Sequence, residues 1–348
     1  MKLYEKLVKQ KEAVDKSYIR LLDNRKREWG LYGHDIGHHA LNMAIGGLIP
    51  TRLTTIGARS GTGKTAISAQ MFDAGTRVVN GRRCEYLFAT WELDPSLLID
   101  RHICCKTGVT LRMLNQGAKL LSRRSLESIE EAYRAAACLP VIYQTASTDI
   151  ETIKAIVLEF VRRCKEKEKV EGVEILPVLV IDYINMAMFD GAGLRTYGIG
   201  DFMNGLKQLC NEYSMAAVVF AQLNRGVDKE NRIPDRADFS DSSAIENASD
   251  NLIVLYRPEY HNVKTVLNPE TQVEEDSDGK MLVRVLKCRD YGIGDFLMNC
   301  DVKHFRFWAE GDDWNTPYWE RYNKEAFWIK QFGLGAAEAA LELEEVPF

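Results

Sequence analysis

Residues 58–65 read ARSGTGKT, closing the apolar run LTTIGA and opening the stretch AISAQMFDAG. A short strand, a glycine-rich turn and the first turn of a helix follow from that order. Such a turn directs its backbone N–H groups and the positive end of the helix dipole toward phosphate oxygens. Ser60, Gly61, Thr62 and Gly63 supply the cradle, Lys64 reaches the β- and γ-phosphates, and the Thr65 hydroxyl ligates Mg²⁺. The strict pattern G-x-x-x-x-G-K-[ST] has Gly where this chain has Ala58. A glycine-rich turn with an incidental Lys would not explain the flanking strand and helix. The expected ligand is a nucleoside triphosphate, ATP or another NTP.

In open α/β sheets, ligands gather at the carboxyl ends of the strands. Three further strand ends carry polar side chains. PVLVIDYINM places Asp182 after five apolar residues, where its carboxylate can hold the Mg²⁺ water shell beside Thr65. YLFATWEL places Glu92 where it could take a proton from an attacking water. AVVFAQLNR ends in Gln222, a neutral group able to sense a γ-phosphate. Any one of these acids could instead cap a helix. Glu, Asp and Gln together, downstream of a phosphate loop, favour catalysis.

These groups must be positioned by a sheet. Apolar runs at 85–91, 139–144, 177–184, 216–223 and 251–256 read as strands. Helical patterns lie between several of them, at 125–137, 150–167 and 199–213. The alternation predicts an α/β fold with a mostly parallel sheet and helices on both faces. Runs 281–289 and 296–308, separated by a glycine-bearing turn, predict an added antiparallel pair, and 265–279 reads as a polar loop. The 348 residues divide into an amphipathic N-terminal helix within 1–30, an α/β domain at 31–334 and an acidic tail at 335–348.

A formal charge of −5 argues against a surface that holds nucleic acid everywhere, though not against a local basic strip. Eight cysteines without C-x-x-C spacing indicate neither zinc nor a disulfide framework. Cys104 and Cys105 read as small buried residues. With no apolar stretch near 18 residues and a charged N-terminus, a soluble, cytoplasmic protein is expected, with no membrane association.

The order GARSGTGKT, TWEL, VIDYINM, AQLNR, SDSSAIENASDNLIVLYR, VRVLKCRDYGIG resembles the ring-forming replicative helicases of the DnaB type and the related bacteriophage helicase–primases. The resemblance spans roughly residues 31–308, and SAIENASDNLIVLYR with the K-x-R of LKCR is its most specific part. It implies a RecA-like P-loop NTPase core and an ATP-dependent DNA helicase, hexameric and translocating 5′ to 3′ on single-stranded DNA. Lys287 and Arg289 then fall on the stator lysine and the arginine finger supplied to a neighbouring subunit's nucleotide. Arg257 matches a position near the nucleotide base, and the aromatic that completes the base sandwich falls on Asn299.

Two loops would face DNA, at 190–200 and 224–243. The family's DNA-contacting Arg falls on Ser240, which leaves Arg195, Arg225, Arg236 and Ser242 as the candidate DNA contacts. The short N-terminal stretch implies that a primase is a separate protein and that helix 1–28 docks on an adjacent subunit. It also points to a phage or mobile-element origin. The tail ends VPF and is similar to acidic, Phe-terminated tails that recruit replication partners such as a polymerase, a primase or a single-stranded-DNA-binding protein. A solubilising end is the plainer reading. Two other functions fit the same core: a RecA-type recombinase, and a non-helicase ATPase serving as a replication accessory factor.

Overall fold

The computed structural model describes residues 10–25, 31–188, 195–224, 226–227, 232–239, 242–312 and 314–315. The acidic tail, Arg225 and Ser240 lie outside the described residues.

β1 (Leu53–Ala58) runs down the middle of a nine-stranded sheet. On one side it pairs in parallel with β5 (Ala216–Gln222), followed by β4 (Glu174–Asp182), β2 (Arg82–Thr90) and β3 (Val141–Gln144). On the other side it pairs in parallel with β6 (Asn251–Tyr256). The parallel strands bury both faces, so they read as continuous apolar runs rather than alternating ones. In β5, Ala217, Val219 and Ala221 join one core layer while Ala216, Val218 and Phe220 join the other. Burying a large apolar side chain contributes roughly 1.5–3 kcal/mol, so the two layers together fix the register.

One layer is completed by α7 (Ile150–Glu171) and α8 (Arg195–Tyr213), through Ile153, Val157, Phe202 and Leu206. The opposite layer uses α2 (His39–Ile45) and α3 (Lys64–Gly75), through Leu41, Ile45, Ile67 and Met71. α4 (Pro95–Thr107) begins at an Asp94 cap, has proline in its first turn and stops at the left-handed Gly108. Cys104 and Cys105 are buried in it. With α5 (Leu111–Gln116) and α6 (Arg123–Ala136) it encloses a satellite core around Ile103 and Ile129. α9 (Ser242–Ala248) leads into β6. α1 (Gln10–Arg25) carries exposed Val14, Tyr18, Ile19 and Leu21. Among the described residues, no helix is long and apolar enough to cross a membrane.

The expected antiparallel pair is present as β9 (Lys280–Cys288) and β10 (Gly294–Asp301), and a third strand, β11 (Arg306–Ala309), extends it. The run 296–308 is broken by a turn at 302–305, where Phe305 adopts a positive φ of 58°. The polar stretch 265–279 is also not wholly loop, since β7 (Thr265–Leu267) pairs with β8 (Glu274–Asp276). Its consecutive acids, Glu274, Glu275 and Asp276, hide a strand because neither face of that hairpin is fully buried.

The meander is tied to the phosphate-loop helix by Gln70. Its side chain donates to the Phe307 carbonyl at 2.8 Å and accepts the Phe307 N–H at 3.0 Å. This fixes β11 beside α3 although the two are far apart in sequence.

Candidate active site

β1 ends at Ala58 and α3 starts at Lys64. The turn between them needs left-handed backbone at Gly61 (φ +78°) and Gly63 (φ +113°), which only glycine adopts without strain. A Cβ on Gly63 would also stand 2.7 Å from the Phe307 ring. The first N–H groups of α3 have no intrahelical acceptor, and Gly63 offers no side-chain cap, so they remain available to an anion.

An open cleft of about 910 Å³, counting the solvent at its mouth, lies over this turn. Arg59, Ser60, Gly61, Gly63, Lys64 and Thr65 line its floor. Glu92 and Gln222 come to it from the ends of β2 and β5, the two strands that flank β4. The cleft thus gathers groups that the sequence scatters over more than 160 positions. Thr62 is buried behind the turn, and its N–H donates to the Arg59 carbonyl at 3.3 Å.

Asp182, at the end of β4, is buried and accepts a 2.6 Å hydrogen bond from the Thr65 hydroxyl on Oδ2. Its other oxygen, Oδ1, is buried with no hydrogen-bond partner among the described residues. Burial pushes the Asp182 carboxyl above its ordinary pKa, against the Thr65 hydrogen bond and the Lys64 charge. Lys64 is pushed in the opposite direction, again chiefly by burial. Its ammonium lies 5.0 Å from the centre of the Tyr183 ring. An orphaned carboxylate oxygen beside a hydroxyl, at the foot of a phosphate cradle, fits Mg²⁺. Thr65 and Asp182 would hold it.

Glu92 is exposed and makes no hydrogen bond or ion pair among the described residues. The cap of α4 is Asp94, which accepts the Ser96 N–H at 2.8 Å. The capping alternative for Glu92 therefore falls, and its carboxylate is left to the cleft. The Gln222 N–H donates to Asn185 Oδ1 at 3.2 Å, so its backbone is pinned and its side chain is left at the cleft wall.

Sequence reasoning missed the opposite wall. Val302 and Phe305 of the β10–β11 turn and Phe307 of β11 close it, and Arg101 of α4 enters from the side. Arg101 stands 5.6 Å over the Phe305 ring in the field of Asp182 and Glu92, and burial lowers its pKa. One sign of it existed in the sequence. Arg101 shares a helix face with buried Leu98 and Cys105, where a cation is out of place unless it has a use.

Arg257 follows β6 and lies beside the phosphate loop, where its Nη1 donates to the Gly61 carbonyl at 3.1 Å. Its guanidinium stands 5.1 Å over the Tyr260 ring and pairs with Glu259 at 3.0 Å. Asn299 sits on β10 opposite Lys280 and Trp308.

Lys287 and Arg289 are at the other end of the sheet. β9 runs antiparallel to β6, with Asn251 opposite Cys288 and Tyr256 opposite Leu282. Arg289 therefore lies by the start of β1, about 17 Å along the strands from the phosphate loop, and Lys287 about 10 Å, at ~3.3 Å per strand residue. A one-residue register shift at Leu252/Ile253 marks a bulge near Leu286 and re-aims the end of β9. Lys287 Nζ donates to the Glu246 carbonyl at 2.6 Å, and Arg289 pairs with Asp250 at 3.1 Å. Burial, then the Arg289 charge, lowers the Lys287 pKa.

Among the DNA-contact candidates, Arg236 is half exposed, bonds Glu246 at 3.0 Å and donates to the Leu286 carbonyl. Arg195 opens α8 and Ser242 opens α9. The second loop is closed at its base by a bridge between Leu223 and Phe239.

Residues 33–308 match the DnaB-like helicase C-terminal domain family. The chain belongs to that family. Over 244 residues this DnaB-like chain is 28% identical to the replicative DNA helicase DnaB of Treponema pallidum, covering 69% of this chain and 51% of that protein. The Geobacillus stearothermophilus DnaB helicase is 22% identical over 272 residues, covering 77% of this chain and 54% of that protein. The chain thus spans about half the length of the curated relatives it matches. Among solved structures, an isolated ATPase domain superposes with a TM-score of 0.71 at 18% identity, covering 86% of this chain and 98% of that one. A DnaB-like replicative helicase, solved with its interactions with primase, gives a TM-score of 0.69 at 17% identity, covering 87% and 67%. Both likenesses show the RecA-like fold of this DnaB-family domain.

Proposed function

We propose that this DnaB-family chain is the motor of a hexameric, NTP-hydrolysing replicative helicase that moves 5′ to 3′ along single-stranded DNA and separates the duplex. The observation that carries the reading is the split of the catalytic set. Lys64, Thr65, Asp182, Glu92 and Gln222 converge at one end of the sheet, while Arg289, with Lys287 leading to it, is about 17 Å away at the other. A finger so placed cannot serve its own nucleotide, but it can serve a neighbour's in a head-to-tail ring.

In that arrangement the loop amides and Lys64 bind the β- and γ-phosphates. Glu92 takes a proton from the attacking water, and Gln222 senses the γ-phosphate and passes its loss to the loop that follows Leu223. The neighbouring subunit's copy of Arg289 stabilises charge on the transferred phosphoryl group, with Lys287 beside it. When bound, Mg²⁺ supplies charge neutralisation across the phosphate oxygens, held by Thr65 and Asp182. Arg257 flanks the base. Arg195, Arg225, Arg236 and Ser242 are proposed to face DNA, and the exposed apolar side of α1 to dock on the adjacent subunit. A separate primase, a polymerase or a single-stranded-DNA-binding protein would be the working partners, in the cytoplasm.

The decisive experiment is strand displacement on a duplex with a 5′ single-stranded tail, with Lys64→Ala as control. NTP-dependent displacement lost in the control supports the helicase reading. Hydrolysis without displacement would leave an accessory ATPase, and filaments instead of rings by electron microscopy would point to a recombinase.

A further inference from the structure

Asp250 is fully buried immediately before β6. Its Oδ2 accepts the Leu53 N–H at 2.9 Å and the Lys207 ammonium at 2.5 Å. Its Oδ1 makes no hydrogen bond among the described residues, and its one close charge partner there is the Arg289 guanidinium at 3.1 Å. Arg289 is otherwise open, with 53% of its side chain exposed. A long, exposed arginine samples many rotamers, and holding one costs entropy at the moment of reaction. A buried carboxylate, itself clamped by a backbone N–H and a lysine, removes that freedom in advance.

We infer that Asp250 is a positioning residue that holds Arg289 in the pose it presents to the neighbouring subunit's nucleotide. One guanidinium nitrogen is engaged by Oδ1, which leaves the remaining N–H groups for an outside phosphate. The clamp on Oδ2 fixes the carboxylate to the first residue of β1 and to α8, so the finger is mounted on the core rather than on the β9–β10 turn. Lys207 also donates to the Thr51 carbonyl at 2.7 Å, which ties the mount to the segment before β1. The inference rests on Arg289 acting in trans.

The test uses assembled rings of the full chain. Asp250→Asn should lower turnover by roughly 10- to 100-fold through misplacement of the finger, with nucleotide affinity changed by no more than about twofold. Mixed with Lys64→Ala subunits, Asp250→Asn subunits should regain activity. Their own nucleotide sites are intact and receive a well-mounted finger from the Lys64→Ala neighbour. A purely structural role in β1 would damage the subunit's own site, and mixing would restore nothing. If Asp250→Asn does not fold, the paired variant Asp250→Asn/Lys207→Met removes both buried charges together and carries the same test.

Full turnover by the Asp250 variant overturns the anchor, and so does a loss that mixing fails to repair while Arg289→Ala is repaired. If Arg289→Ala itself is not repaired in rings shown to mix, the shared-site reading falls and the anchor falls with it.

Discussion

The two ends of the parallel strands do opposite things with charge. At the carboxyl ends, Lys64, Glu92 and Arg101 line an open cleft with Asp182 buried behind Thr65, and burial pushes Lys64, Asp182 and Arg101 toward their neutral forms. Charge is gathered there without full compensation, which suits a site completed by phosphate and a divalent cation. At the amino ends, Lys287 and Arg289 are each tied to their own subunit, at Glu246 and Asp250, while Arg289 still faces solvent. Charge there is compensated and held at a surface, which suits a group offered to something outside. A binding site needs convergence within one subunit. A finger needs rigidity and exposure.

The sharpest break is at the carboxyl ends. Lys64→Ala should abolish hydrolysis and weaken nucleotide binding, because the phosphate charge loses its fixed partner. Phosphate release and titration with a fluorescent nucleotide check both, and normal values for either would remove Lys64 from the site. At the amino ends, Arg289→Ala should cut turnover ~10³-fold while nucleotide affinity stays. That pairing of outcomes separates the two regions directly. Mixing Arg289→Ala with Lys64→Ala subunits should restore part of the rate, since one interface then has both halves.

Glu92→Gln sharpens the division inside the cleft. It should bind nucleotide and assemble, but turn over roughly 10²-fold more slowly, since only proton abstraction is lost. Single-turnover hydrolysis measures this, and near-normal turnover would return Glu92 to the surface residues.

The smallest effect concerns pH and falls on the phosphate-loop side alone. Burial holds His38 down to about 4 and also lowers His34 and His102. All three bear on α3 or its end: His38 through the Ile67 carbonyl, His34 through the Arg77 carbonyl and His102 beside Asp73. Below about pH 6.5 the unfolded chain takes up protons at these histidines more readily than the folded chain. Stability is therefore full above that pH and is lost as pH falls, for His38 by about 1.4 kcal/mol per unit down to about pH 4, with His34 and His102 acting in the same direction. Urea midpoints between pH 7 and 4.5 should show this decline, and His38→Gln should make it shallower. An unchanged slope would mean that His38 takes up its proton as readily in the folded as in the unfolded chain.

Much of the nucleotide half was legible because its information is local. Strand, glycines and helix follow one another within 53–75, and the need for positive φ at Gly61 and Gly63 is written in the residue types. Asp182 and Gln222 close long apolar runs, so the end of the run marks the edge of the sheet. The 251–256 strand was read with its bounds intact, and 216–223 to within one residue. The antiparallel pair β9–β10 was legible, but its third strand β11 and the 265–276 hairpin were not. The hairpin's faces are only partly buried, so no clean period of two appears there.

By itself, then, the sequence determined the phosphate loop, the parallel core and the identities of the strand-end groups, because each depends on neighbours a few residues away. Only the tertiary structure decided which remote residues complete them. Val302, Phe305 and Phe307 reach the cleft because Gln70 brackets Phe307 from 237 positions earlier, and Arg101 because α4 folds back over the turn. It also decided that Asp250 is buried beneath Arg289. In SAIENASD that carboxylate is one polar residue among several. Its burial and its partners come from β1, α8 and β9 meeting at one point, which no spacing within the segment encodes.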